Sequence, residues 1–501
     1  MPRCLHPKGP LAATGIGRHA PAFRKARMPR ARSAALLASL VLGACAHVRP
    51  ADTRLPAAFE APRGQPAGAV ALDRWWLAFN DPVLSGLIDQ ALAANPDARS
   101  AAARLNEARA NRVEALVHFL PQGDATGSTR ETHTRKLAGT TISFPGFSNN
   151  GQSDASSASF NVSWEVDVFG RLLAARKAVN GDIAAARFNY EGARASLAAQ
   201  VADAYFQSRG LAIQLGDARE TARIERSLYD TATKRANAGL AAGADADRVA
   251  GDLAQADAQA AGLEADLQVQ RRTLLILAGR TVEPTANVAL EASVGVPPPV
   301  PSAIPAELLA RRPDVREAHA RIASAAGRAD ADVLALLPTL SFTPGLGWSK
   351  SSQPGFASTT QTWSLGGAIT QPILSIPKLL AELKAQNARL EQAVTAYEKA
   401  VQTAFSESEG ALVRLDADRR RVALLTDGEA RARRGYQSSR IGYDRGLTDL
   451  QTALGAEQSW RATRSQLTAA QVQALRRTVQ AYKALGGGWP ADRFPTDKQA
   501  R

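Results

Sequence analysis

Apolar residues recur at spacings of three and four over two long stretches of the chain, a pattern typical of helices that pack side by side. Many seam positions are alanine, so neighbouring helices can approach closely in a layer of parallel rods. The first stretch contains Val179, Ile183, Ala186, Tyr190, Ala193, Leu197, Val201 and Ala204. The second contains Val249, Leu253, Ala256, Ala260, Leu263, Leu267, Leu274 and Leu277, with the polar Gln270 at one position of the same series.

A period of two replaces this pattern between residues 158 and 168, where apolar side chains alternate with Ser, Asn, Glu and Asp. Such alternation places one set of side chains on each face of a β-strand. Weaker alternation follows Pro121 and recurs at 339–348 and 362–370, so four strands are predicted. We expect the polar, Gly- and Ser-rich stretches near 139–155 and 350–361 to connect them as hairpin loops.

Proline, which breaks helix interiors, is absent from residues 146–283 and 378–489. These spans predict long helices from Phe169 to Gly239 and over 378–445, about 105 and 102 Å long at 1.5 Å per residue. Helices of about half that length are predicted on either side of each long one, so two of them fit end to end beside it. The predicted short helices cover 81–121 and the segment ending at Gly279 in one half, and 306–337 and 449–485 in the other.

An internal repeat explains this symmetry. The sequence NPDARSA (95–101) aligns without a gap with RPDVREA (312–318), and a second match pairs Gly279 with Gly486. Two copies of about two hundred residues indicate a duplicated half-molecule. Because Pro suits the first helical position and Asp the first turn, each phrase is interpreted as the start of a half-length helix at the middle of the molecule.

Four strands cannot close a barrel, since single-chain outer-membrane barrels have at least eight. An apolar sheet face on so long a rod needs lipid to cover it, and lipid does not tolerate open sheet edges. Several copies must therefore pool their strands. Three copies would give twelve strands and twelve helical columns, although spacing alone does not fix that number.

The first fifty residues contain no acidic residue, and Met28 is followed by two arginines and the apolar run AALLASLVLGAC (34–45). This arrangement predicts a signal peptide over 1–44 whose true start is Met28. LGAC (42–45) resembles the bacterial lipoprotein signal, which implies that Cys45 is the lipidated, palmitate-bearing first residue of the mature chain. The alternative is an ordinary exported chain with an accidental Cys. The other predicted segments are the lipidated N-terminal segment 45–80, the first repeat 81–279, the Pro-rich linker 280–305, the second repeat 306–486 and the tail 487–501.

Composition excludes several functions. Eight of the 61 Lys and Arg precede Cys45 and no acid does, so the charge of the mature chain is 53 − 47 = +6 rather than +14. No basic stripe with interleaved aromatics follows, so no nucleic-acid partner is predicted. The only cysteines are Cys4 and Cys45, which leaves no internal disulfide. Neither metal-ligand spacing nor a phosphate-binding glycine loop occurs, so we predict no enzyme, cofactor or metal site.

The chain from Leu72 to Gly488 resembles the TolC-type outer membrane factors, specifically the lipoprotein (NodT-like) subgroup of resistance-nodulation-division (RND) efflux systems. The match is carried by residues 75–110, SWEVDVFGRLLAARKA (163–178), RRPDVREAHARI (311–322) and GLTDLQTALGAEQS (446–459). One departure is QPILSIPKLL (371–380), where such proteins usually have Phe and a Gly-Arg pair; it makes the start of the second long helix hard to predict.

The resemblance implies a mainly α fold with a membrane β part, in which a homotrimer forms a 12-stranded barrel and a periplasmic tunnel of coiled-coil hairpins. It implies a lipid-anchored location in the outer membrane of a Gram-negative bacterium. It also implies docking to a periplasmic adaptor (membrane fusion protein) that links the tunnel to an inner-membrane RND transporter. The predicted function is a passive exit duct for small molecules.

Two alternatives remain open at this point. One is a type I protein-secretion channel on the same fold. The other is a periplasmic adaptor lipoprotein, although adaptors have one hairpin flanked by small β domains and this chain has two hairpins.

The two distal turns, 238–245 and 445–450, are the candidate adaptor-docking and gating end. Gly239 and Gly446 stand where a left-handed cap residue is expected, and Leu240 and Leu447 would then project from a polar tip. The alternative is that these residues only form turns. Asp444 and Asp449 lie close by and are candidates for a constriction of the lumen that favours cations.

Overall fold

The computed structural model describes most of the chain after residue 49. The described residues are 50–61, 72, 74–135, 137–138, 151–239, 242–288, 290–300, 305–306, 311–353 and 355–488.

Helices dominate the described chain, and four strands interrupt them in two pairs. In chain order the elements are α1 (Pro82–Ala94), α2 (Pro96–Val117), β1 (Gln122–Thr134), β2 (Gly151–Val166), α3 (Arg171–Asn237), α4 (Gly243–Leu277), α5 (Pro313–Leu334), β3 (Thr339–Gln353), β4 (Phe356–Thr370), α6 (Ile376–Asp444) and α7 (Leu450–Ala484). The described helices include none whose length and apolarity would let it span a bilayer.

The four strands form one antiparallel sheet in chain order. Its register aligns Ala125, Phe160, Leu346 and Trp363 in a row across the strands. Because side chains two residues apart share a face, the sheet has one apolar and one polar face. In the described chain, β1 and β4 each pair on one side only. The apolar face carries Phe160, Val162, Trp164, Val166, Leu340, Phe342, Leu346, Trp348, Trp363, Leu365 and Ile369.

The hairpin loop predicted near 350–361 is much shorter in the structure, and the one predicted near 139–155 ends earlier. β2 already begins at Gly151, and only Pro354 and Gly355 separate β3 from β4. The Ser- and Thr-rich residues assigned to loops instead pair across the ladder, for example Ser351 with Ser358. Their polarity reflects exposed strand ends, where hydroxyl side chains suit a strand as well as a turn.

The helices form a layer of columns whose order follows that of the strands. In the half next to the sheet, the successive neighbours are α2, α3, α5 and α6. In the distal half, away from the sheet, the successive neighbours are α4, α3, α7 and α6. α2 and α4 therefore share one edge column, α5 and α7 share an inner column, and α3 and α6 span both halves. At about 1.5 Å per residue, α3 and α6 are about 100 Å long.

The single helix predicted over 81–121 is two helices in the structure. α1 ends at Ala94, and Asn95 has an extended backbone with φ −62° and ψ 132°. The cause is Pro96, which has no N–H for helix continuation and disfavours helical geometry at the residue before it. Asp81 caps α1 by accepting the N–H groups of Val83 and Leu84 at 3.0 and 3.1 Å.

The half-length helices meet end to end through the same contact in both repeats. Asn95 Nδ2 donates to the carbonyl oxygen of Leu277 at 3.0 Å, and Arg312 Nη1 donates to that of Ala484 at 3.1 Å. Asn95 and Arg312 each precede the proline that starts a helix. The acceptors, Leu277 and Ala484, are the last residues of α4 and α7. The repeated sequence therefore forms the junction between two helices and supplies a hydrogen-bond donor to a carbonyl group at a helix C-terminus.

In the half of α3 nearer the sheet, the buried seam lies one or two positions away from the predicted one. Val179, Ile183, Ala186, Tyr190 and Ala193 are only partly buried, whereas Leu197, Val201 and Ala204 are buried as expected. The reason is that α3 has neighbours on both sides there, and small residues lie where α5 comes closest. Between residues 178 and 188 the buried positions are Ala178, Gly181, Ala185 and Phe188.

The main core lies at the waist, where the half-length helices meet. Trp75 is 1 % exposed and stacks on Tyr482, with ring centroids 5.7 Å apart. The hydroxyl of Tyr482 donates to the carbonyl oxygen of Pro299 at 2.8 Å, so the Pro-rich linker packs on the same core.

The second long helix, α6, whose start the sequence left undetermined, begins at Ile376 with Pro377 in its first turn.

Candidate functional site

The polar face of the sheet is lined mainly by hydroxyl groups. Thr126 Oγ1 lies 2.8 Å from Ser159 Oγ, and Ser128 Oγ lies 2.9 Å from Ser157 Oγ. Charged side chains on this face are sparse, and Glu165 is paired with Arg171 Nη1 at 2.8 Å. Such a surface is wettable and has few fixed charges, so it suits the wall of an aqueous passage.

The apolar face exposes large side chains on three neighbouring strands. Phe160, Trp164 and Trp363, which the sequence predicts to face lipid, all lie on it and are 46 %, 37 % and 78 % exposed. Leu365 and Ile369 continue the patch along β4. A contiguous apolar patch of this kind marks a membrane or protein contact surface.

The distal turn of the second repeat has the predicted left-handed glycine. Gly446 has φ +75°, and its N–H donates to the carbonyl oxygen of Tyr443 at 3.0 Å. The N–H of Leu447 donates to the carbonyl oxygen of Gly442 at 2.8 Å, which completes a Schellman motif. The Leu447 side chain is 77 % exposed, as the turn geometry predicts.

The distal turn of the first repeat begins with the same left-handed glycine and the same backbone hydrogen bond. Gly239 has φ +71°, and its N–H donates to the carbonyl oxygen of Ala236 at 3.0 Å. Leu240 lies outside the described residues, so the exposed leucine is seen in only one of the two turns.

The two candidate aspartates stand on either side of the second turn. Asp449 is the N-cap of α7, and its Oδ1 accepts the N–H of Thr452 at 2.7 Å. That backbone hydrogen bond holds the pKa of Asp449 below its ordinary value. Asp444 ends α6, and its side chain lies outside the described part of the chain. A role for either residue in a constriction stays a prediction.

Sequence patterns do not reveal certain contacts near the turns, one between the two hairpins (α3–α4 and α6–α7) and others within the second hairpin. Arg235 Nη1 of α3 donates to the Tyr443 hydroxyl of α6 at 3.1 Å, and its guanidinium lies 5.0 Å from the ring centroid. Further along, Trp460 stacks on Tyr436 at 5.2 Å and donates from Nε1 to Glu429 Oε1 at 2.8 Å. These residues lie on different helices far apart in sequence, and helical periodicity gives no signal for them.

Comparison with known proteins gives consistent findings. The profile of the family described as "outer membrane efflux protein" matches residues 87–280 and 304–487. The pyoverdine export outer membrane protein OpmQ of Pseudomonas putida is 30 % identical over 91 % of this chain and 97 % of its own length. The toluene efflux pump outer membrane protein TtgC of the same species is 28 % identical over 92 % of this chain and 96 % of its own. The solved structure of the outer-membrane channel OprN is 26 % identical, with a TM-score of 0.72 over 89 % of this chain and 98 % of that one.

Proposed function

This chain belongs to the outer membrane efflux protein family, and we propose that three copies of it form the exit duct of a tripartite efflux system. The observation that carries the proposal is the shared lateral order of strands and helical columns. Both layers end at the same two edges, so a neighbouring copy can extend the sheet and the helical layer together. Unpaired strand edges are not tolerated in lipid, which favours closure into a ring.

The two faces of the sheet favour one orientation of this ring. With the apolar face outward, Trp363, Leu365 and Ile369 meet lipid, and the hydroxyl-lined face surrounds water. Three copies supply twelve strands, the number implied by the resemblance to TolC-type factors. The helical columns would continue the barrel into the periplasm.

Partners are proposed at the far end of the columns. The turns near Gly239 and Gly446 are the candidate docking site of a periplasmic adaptor, which would connect the duct to an inner-membrane RND transporter. The exposed Leu447 beside its capping glycine supports this assignment.

Small molecules are the proposed cargo. The curated relatives above are named for export of pyoverdine and of toluene, and both are small molecules. The second candidate, a type I protein-secretion channel, shares the fold but has no support in those names. An adaptor role is disfavoured because the chain has two hairpins and a sheet with an exposed apolar face.

A lipid anchor at Cys45 is proposed from the sequence and from the chain that follows it. The segment 50–61 runs along α6 away from the sheet: the N–H of Asp52 donates to Glu398 at 2.7 Å, and that of Ala61 to Glu409 at 2.7 Å. Glu398 lies 22 residues into α6, about 33 Å from its start. The described segment therefore lies along the half of α6 nearer the sheet and ends near the middle of that helix.

We expect Cys45→Ser to abolish incorporation of labelled palmitate. Cys4→Ser is the matched control and should leave labelling unchanged, because Cys4 precedes the proposed start at Met28. Radiolabelling of cells followed by purification measures both variants. Label retained in Cys45→Ser would contradict lipidation at this residue.

The proposed function is tested by assembly and export together. Chemical crosslinking in detergent should give a trimer that resists SDS. Deleting the gene should raise intracellular accumulation of a siderophore, a solvent or an antibiotic, and re-expression should reverse it. A monomer that retains its strand content, or unchanged accumulation of the whole panel, would contradict the proposal.

A further inference from the structure

Arg461 pairs with Glu225 and Glu457 where the two helical hairpins pack against each other. Asp252 and Arg440 also act electrostatically on Glu457 there. Glu225 belongs to α3 and Asp252 to α4, whereas Arg440 belongs to α6 and Glu457 and Arg461 belong to α7. Arg461 Nη2 lies 2.6 Å from Glu225 Oε1, and its Nε lies 3.7 Å from Glu457 Oε1. The cluster therefore joins all four helices of the distal half.

Two of the three carboxylates are withdrawn from water, and Asp252 is partly buried. Glu225 is 0 % exposed and Glu457 is 1 % exposed. One oxygen of each carboxylate is buried without a hydrogen-bond partner in the described chain: Glu225 Oε2, Asp252 Oδ2 and Glu457 Oε1. Buried carboxylate oxygens that lack a partner are costly while the group is ionised, because nothing replaces their hydration.

The charges of the cluster do not balance. Two guanidinium groups face three carboxylates, and Arg440 also donates to the hydroxyl of Tyr436 at 3.0 Å. One bound proton would neutralise the excess and give an unpartnered oxygen a donor. In the part of the chain that the structure describes, no group of His, Cys, Asp and Glu has an arrangement that could hold a metal ion.

We propose that Glu457, with Glu225 and Asp252, forms a proton-binding site whose occupancy controls how tightly the two hairpins pack. The proton is bound by the Glu457 carboxyl. It removes one negative charge and so weakens the repulsion from Glu225 and Asp252. When it leaves, an unmatched negative charge remains in the seam, and the hairpins separate more readily.

The pKa directions agree with this geometry. Burial raises the pKa of Glu457 to about 7, against the lowering effect of Arg461, and Glu225 raises it further. Burial also raises the pKa of Glu225. Because the packed seam binds the proton more tightly than separated helices do, packing is favoured at low pH. This stabilisation is lost as the pH rises from the ordinary value near 4.5 towards about 7.

Hydrogen exchange of the purified protein in detergent tests the site. After correction for the intrinsic exchange rate, protection of peptides from 218–237 and 450–468 should fall at least about tenfold between pH 5 and pH 8. In Glu457→Gln the amide is neutral at both pH values, so protection should become independent of pH. If that variant does not assemble, Glu225→Gln replaces it and should reduce the same dependence.

Glu264→Gln is the matched control, because Glu264 lies on α4 and pairs with Arg219 at 3.0 Å on the surface. It should keep the pH dependence of the unmodified protein. Equal protection at pH 5 and pH 8 in the unmodified protein, or an unchanged dependence in the neutral variant that assembles, would overturn the proposal. Loss of the dependence in Glu264→Gln would also overturn it. Hydrogen exchange measures helix packing alone, so a negative result in the export assay would not change how the exchange result is interpreted.

Discussion

Export falls about tenfold or more when Leu240 and Leu447 are both replaced by serine, while the trimer and its outer-membrane location persist. The physical reason is that Leu447 offers an apolar group at an otherwise polar tip, and Leu240 follows the capping glycine of the other turn in the same way in the sequence. Leu447 is 77 % exposed and is held by a capped turn. Burial of one leucine side chain contributes about 1.5–3 kcal/mol, and a loss of about 1.4 kcal/mol already weakens docking tenfold.

Adaptor crosslinking in cells and accumulation of an exported compound measure this effect. Leu424→Ser is the matched control, because Leu424 is also exposed, at 75 %, and lies about 30 Å along α6 from the turn. It should leave export unchanged. Normal export by the double variant, with a normal trimer, would mean that the glycine and leucine pairs only form turns.

Gly327→Ala and Gly181→Ala should each sharply reduce the yield and thermal stability of the trimer. A Cβ at Gly327 would lie 2.4 Å from the backbone nitrogen of Ala178, and one at Gly181 would lie 2.5 Å from that of Ser324. Both clashes are with backbone of the facing helix, so side-chain rotation cannot relieve them. Overpacking of this kind costs about 1–3 kcal/mol per site, and each copy in a trimer carries it.

Gly216→Ala provides the comparison within the same long helix. Apart from Gly216's chain neighbours and the nearby backbone of its own helix, no atom of the described residues lies within 4 Å of a Cβ at Gly216, so the substitution there should be neutral or should stabilise by up to about 1 kcal/mol. Differential scanning fluorimetry and SDS-resistant trimer yield compare the three variants. Equal stability of all three would show that α3 and α5 do not approach as closely as the structure indicates.

The candidate site was predictable where local chemistry decides it. Gly239 and Gly446 follow long helices, and a glycine in the left-handed region is the common way to end one. The faces of Phe160 and Trp363 follow from a period of two, which strand geometry imposes on any sequence. The hairpin loop near 350–361 was not predictable, because Ser and Thr are compatible with both turns and exposed strands.

By itself, the sequence determined the order of helices and strands, their approximate lengths, the repeat and the polarity of each face. These properties depend on residues close together in the chain. The tertiary structure decided that Asn95 reaches Leu277, that Gly181 rather than Val179 lies in the close contact, and that Arg461 pairs with both Glu225 and Glu457. Periodicity marks which positions can be buried, but lateral packing sets which helix covers them, so only the assembled layer fixes these partners.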